Sequence, residues 1–180
     1  MKIHDLELSD SALINAEPFC DRRGIFSRFF CSRELGGIIG DRSIVNVNFS
    51  RTISRGTIRG MHFQHPPHEE IKFVRCIRGE VYDVIVDIRR ESATFMQWHG
   101  EVLSAENMKM LAVPEGFAHG FQALQDDSEL LYLTTAFYQP GAEGGLRYDD
   151  PSLGICWPLP VNDISEKDAS HLLVEKQQNL

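Results

Sequence analysis

The chain has 180 residues, 42% hydrophobic and 24% charged, with a formal net charge of -8. That length suits one domain with a sizeable core, so residues 1–180 are read as a single unit. The acidic balance argues against a general nucleic-acid binder, while a few local arginines can still hold an anionic small ligand.

The chain opens on MKIHDLELSD, which is charged from the start and lacks the apolar core of a signal peptide. No apolar run approaches the roughly 20 residues that span a bilayer. A short helix is expected near Ser32–Leu35, stopped by Gly36 and Gly37. Segments rich in β-branched and aromatic residues follow: IVNVNFS from Ile44, IKFVRCI from Ile71, VYDVIVDI from Val81 and ELLYLTTAFY from Glu129. Arg78–Glu80 reads as a hairpin turn between two of them. Within VYDVIVDI, Tyr82, Val84, Val86 and Ile88 share one face and Val81, Asp83, Ile85 and Asp87 the other. Neither face is fully polar, as expected of a strand that packs in a barrel and also contributes to a subunit interface. A second helix begins at Ser165, an N-cap residue with Asp168 three positions on. The prediction is an all-β sandwich or barrel with a small C-terminal helical cap. Cys20, Cys31, Cys76 and Cys156 form no C-x-x-C pair, so reduced cytoplasmic thiols are expected and structural zinc is not.

The densest polar cluster is RGTIRGMHFQHPPHEEIKFVR, with His62, His65, His68, Glu69, Glu70 and Lys72; a second candidate is His119, in VPEGFAHGFQ. The P-x-G-x-x-H string around His119 resembles the second metal motif of cupins. The first such motif needs H-x-H followed by glutamate, and here the string is His62-Phe63-Gln64. With that ligand missing, no metal is expected. An acid–base site at the mouth of the same barrel is the better reading. Alternation puts His62 and Gln64 on one face of a strand, His119 and Phe121 on a face of another, and Tyr132, Thr134 and Tyr138 on a face of a third. A base on one side of a cavity and a phenol on the other suits epimerisation at an acidic C–H, with a cationic donor steadying the enolate oxygen. Singly, each residue has an ordinary role: a hydrogen-bonded strand histidine, a solvated lysine, a core tyrosine, an aspartate facing a helix dipole.

Together, RGTIRGMHFQ, KFVRCIRGEVYDVIVDIRRESATF, LSAEN, VPEGFAHGF, LLY, DDPSLGICWPLP and SEKD resemble the dTDP-4-dehydrorhamnose 3,5-epimerase family, from about Phe19 to the carboxyl end. The resemblance implies a cupin fold, a double-stranded β-helix or jelly-roll barrel. It implies a nucleoside-diphosphate 4-keto-6-deoxy sugar as substrate, no cofactor, and homodimers that share strands between subunits. His62 matches the general base, Asp168 the carboxylate paired with it, Tyr132 the proton donor and Lys72 the lysine near the keto oxygen. Arg23, Arg59, His119, Glu143 and Lys167 match substrate contacts, and Asn46, Asn48, Gln64 and Tyr138 join them as candidates. Alternation alone would turn Arg59 away from His62; a bulge at Gly60 is expected to reconcile them.

The chain departs from the family at four places. Arg28 replaces a usual glutamate, NVNFS (46–50) replaces Q-D-N-H-S, Leu133 replaces a common lysine, and Ala136 replaces an aspartate or asparagine. These changes suggest altered substrate choice. Arg28 in particular suggests a CDP-linked sugar, since cytosine offers acceptors where thymine offers a donor; the simpler reading is a phosphate or carboxylate partner for Arg28. A metal-dependent cupin oxygenase and a non-catalytic sugar-nucleotide binder are the competing classes.

Overall fold

The computed structural model describes residues 1–177. The strands are β1 (Lys2–Asp5), β2 (Ala12–Asn15), β3 (Phe19–Asp21), β4 (Gly24–Phe26), β5 (Asn46–Thr52), β6 (Thr57–Gln64), β7 (Lys72–Arg78), β8 (Glu80–Asp87), β9 (Trp98–Ser104), β10 (Lys109–Val113), β11 (Phe117–Ala123), β12 (Ser128–Thr134), β13 (Glu143–Gly145) and β14 (Asp163–Ile164). The α-helices are α1 (Gly36–Ile39) and α2 (Glu166–Ala169). One sheet runs β1-β2-β10-β7-β12-β5; the other runs β13-β6-β11-β8-β9, with β14 beside β6. Among the described residues, all pairings are antiparallel except that of β14 with β6.

The two sheets face each other as a jelly-roll barrel. Alternation sends Val74, Cys76, Leu111, Val113 and Leu130 of the first sheet against Val81, Ile85, Leu103, Phe117 and Phe121 of the second. The second face of β8 is not left for a partner: Val84 and Val86 pack with Met61, Phe63 and Ala118 under Leu146 and Leu153, which belong to the chain's own later segment. Gly79, at φ +72°, makes the β7–β8 turn expected at Arg78–Glu80.

Both helices differ from their sequence expectations. The first begins at Gly36, where a stop was expected, because Leu35 and Ile39 lie one turn apart and both are buried against Phe73, Met110 and Ala112. Each such side chain contributes roughly 1.5–3 kcal/mol, which outweighs about 1 kcal/mol lost per helical glycine. The second is capped as predicted, with Ser165 Oγ accepting from the Asp168 amide at 3.1 Å, but it ends after Ala169. No helix among the described residues is long and apolar enough to cross a membrane.

Candidate active site

Side chains of β5, β6, β7, β11 and β12 and of the 163–168 segment line a cavity of about 580 Å³ that reaches the packed core at Phe121 and Tyr132. His62, Lys72, Tyr132 and Asp168 all line it, as do Asn46, Asn48, Arg59, His119, Tyr138 and Lys167. His62 stands on one sheet and Tyr132 on the other, so an imidazole and a phenol border the same space from opposite walls.

The expected bulge exists. His119 pairs with His62 and Phe121 with Arg59, so Gly60 and Met61 together oppose Gly120. Gly60 has φ +111°, a conformation open to glycine. The extra residue returns Arg59 to the face of His62, and Arg59 donates to Thr52 Oγ1 at 3.0 Å.

His62 Nε2 lies 2.8 Å from Asp168 Oδ1, while the Gly60 amide donates to Asp168 Oδ2 at 3.0 Å. Burial opposes ionisation of Asp168, but the hydrogen bonds from His62 and Gly60 outweigh it and bring its pKa to about 2. An ionised Asp168 requires the proton on His62 Nε2, which leaves Nδ1 with the free lone pair. Across the cavity, burial pushes the Tyr132 phenol well above the usual tyrosine range, partly offset by its hydrogen bond with Ser50 Oγ at 2.9 Å. The phenol therefore stays protonated at neutral pH. Lys72 Nζ sits 3.1 Å from Glu70, both nearly buried. His119 Nε2 lies 3.0 Å from each oxygen of Asp83, a fully buried carboxylate. At the rim, Glu143 accepts from Tyr138 at 2.8 Å and from Lys167 at 2.7 Å. Burial disfavours its ionisation, yet these two donors lower its pKa overall.

Several expectations need correction. Tyr138 reaches the cavity from the loop after β12, which stops at Thr134, so strand alternation does not place it. Gln64 is a brace, not a cavity residue: its amide donates to the carbonyls of His68 and Phe137 and accepts from the Gln139 amide. Arg23 and Arg28 lie away from the cavity within one chain, because each is held by a local carboxylate. Arg23 bonds Asp21 at 2.6 Å in the β3–β4 hairpin, and Arg28 bonds Glu34 at 2.6 Å. On β5 the cavity-facing residues are Asn46, Asn48 and Ser50, whereas Val47 and Phe49 point outward, 64% and 58% exposed. Leu133 faces the outer cluster. Thus much of the divergence in NVNFS and at Leu133 lies outside the cavity.

Asp83 and Ser50 were missed as contributors to the site. Asp83 was visible as a carboxylate sharing the core face of VYDVIVDI with Val81 and Ile85. Ser50 carried no signal separating it from solvated residues, and Glu70, named in the polar cluster, was given no role. His171 stands in a D-x-x-H spacing with Asp168, and its ring lies edge-on to that of His62, centroids 6.2 Å apart. Burial, and next the charge of His62, lower the pKa of His171.

A jelly-roll barrel with a histidine–aspartate pair facing a buried phenol across a polar cavity defines an acid–base isomerase of the cupin class. Comparison with known proteins makes the assignment specific. The family model for dTDP-4-dehydrorhamnose 3,5-epimerase matches residues 5–176, and the chain belongs to that family. A dTDP-4-dehydrorhamnose 3,5-epimerase of Pseudomonas aeruginosa is 44% identical over 170 residues, covering 93% of this chain and 93% of the relative. The crystal structure of the Bacillus anthracis enzyme with TDP and pyrophosphate bound superposes with a TM-score of 0.92 at 36% identity, covering 96% of this chain and 99% of that one. The Legionella pneumophila enzyme in complex with dTDP-4-keto-L-rhamnose gives 0.91 at 37% identity, covering 97% and 93%.

Proposed function

We propose that this chain epimerises a dTDP-linked 4-keto-6-deoxyhexose at the carbons flanking the ketone. The observation that carries the reading is the pairing of His62 with Asp168 on one wall and the protonated Tyr132 on the other. The ketone acidifies its neighbouring C–H bonds. His62 Nδ1 removes one such proton, and Asp168 steadies the imidazolium that forms. Lys72 donates to the enolate oxygen as charge builds there. Tyr132 delivers a proton to the opposite face, with Ser50 Oγ hydrogen-bonded to the phenolate that remains. Arg59 and Lys167 supply cationic groups for a diphosphate, and arginine's planar fork suits it. Solvent-deuterium uptake at C3 and C5, followed by NMR across dTDP- and CDP-4-keto-6-deoxyglucose, tests this. The dTDP sugar should exchange and invert at one or both carbons, and a clear CDP preference would overturn the base assignment. Arg28 gives the CDP alternative no support while it is paired with Glu34.

The working unit is proposed to be a homodimer. Phe19, Ile25 and Phe26 on the β3–β4 hairpin and Val47 and Phe49 on edge strand β5 expose their apolar side chains, an arrangement a second subunit would cover. The four cysteines are all free, in keeping with a cytoplasmic site of action.

A further inference from the structure

Behind the His62–Asp168 pair lies a third group that the epimerisation does not use. His171 follows Asp168 by three residues, just past the end of α2, where the helical turn sets both on one side. One ligand atom each from His62, Asp168 and His171 lie within 4.8 Å of one another. The Nε2 atom of His171 is buried and has no hydrogen-bond partner among the described residues, which is uncommon for a ring nitrogen. Room for the ring is made by Gly145, the β-partner of His62, where a Cβ would stand 2.1 Å from His171 Nε2. Asp168 brings a negative charge to the site, and Lys167 is engaged by Glu143 at 2.7 Å.

We infer that His62, Asp168 and His171 form a zinc-binding site whose occupation switches the enzyme off. Two imidazoles and a carboxylate are a donor set that zinc accepts, with water completing the tetrahedron. The metal replaces the proton between His62 Nε2 and Asp168. That proton passes to Nδ1, so the ring stays neutral, and the nitrogen that serves as base no longer has a lone pair. The site is distinct from the usual cupin metal position, which draws a ligand from the strand position held here by Gln64. The inhibitory consequence rests on His62 being the base; the binding does not.

The test uses untagged full-length protein and zinc chloride, without substrate, by titration calorimetry, with cobalt(II) absorption as a second readout. Wild type should bind one zinc per chain and show a tetrahedral cobalt spectrum. His171→Ala and His171→Gln should keep zinc-free turnover and lose at least about tenfold in zinc affinity, since even indirect partners of a metal are worth that much. One equivalent of zinc should then stop deuterium uptake by wild type and spare both variants. Wild-type protein that takes up no zinc, or variants that bind it as tightly as wild type, would overturn the site. If zinc binds as described while the zinc-free enzyme epimerises nothing, the metal site stands and the proposed reaction fails.

Discussion

Arg59 and His62, three residues apart on one strand, face the same cavity because Gly60 and Met61 together oppose Gly120. The bulge needs glycine twice over. Gly60 sits at φ +111°, and a Cβ there would stand 2.7 Å from both Gly120 Cα and His119 O. Gly60→Ala should therefore cost at least about 1 kcal/mol of stability, and more if the backbone cannot shift. It should also lower turnover by displacing His62. Gly36→Ala, in a helix and with nothing within 4 Å, should be neutral or stabilising by up to about 1 kcal/mol. Thermal melts of the two variants side by side check the contrast.

Acid should erode the contribution of Asp168. Its pKa of about 2 in the folded chain lies below the roughly 3.9 of an unfolded aspartate. A depressed carboxylate stabilises the fold fully above the unfolded value, and that stability is lost as pH falls through the folded value. Asp168→Asn should thus be less stable than wild type at neutral pH, and the gap should close between about pH 4 and pH 2. Urea denaturation across that window measures it; a gap that does not change with pH would contradict the assignment.

Tyr132 and Ser50 should separate proton removal from proton delivery. Tyr132→Phe keeps the ring but loses the acid, so exchange on the His62 face should persist while inversion falls by about 100-fold or more. Ser50→Ala removes the hydroxyl at 2.9 Å from the phenol. Inversion should drop more modestly, by about fivefold, with little change in KM, because one neutral hydrogen bond is worth about 1 kcal/mol. Product stereochemistry and deuterium content, read on the same NMR sample, distinguish the two effects.

What the sequence disclosed follows physical periodicity. Alternation assigned strand faces to His62, His119 and Tyr132, the resemblance singled out Lys72, and all four line one cavity; the glycine at position 60 betrayed the bulge. An all-β sandwich or barrel was legible because the strands are short, β-branched and separated by turn residues; the jelly roll itself came from the family resemblance. Features set by tertiary partners were not legible. Helix α1 formed across two glycines because Leu35 and Ile39 found a buried surface. Gln64 turned to loop carbonyls, and Arg28 to Glu34. The changed residues at Val47, Phe49 and Leu133 looked like altered ligand contacts until the register sent them to the outer face.

The most direct measurement is solvent-deuterium incorporation into dTDP-4-keto-6-deoxyglucose by wild type and His62→Ala. Wild type should incorporate deuterium next to the ketone. The variant should fold normally by circular dichroism and lose exchange by at least about 100-fold, the usual contribution of a general base. A folded His62→Ala that exchanges and inverts at the wild-type rate would contradict the assignment of His62 as base.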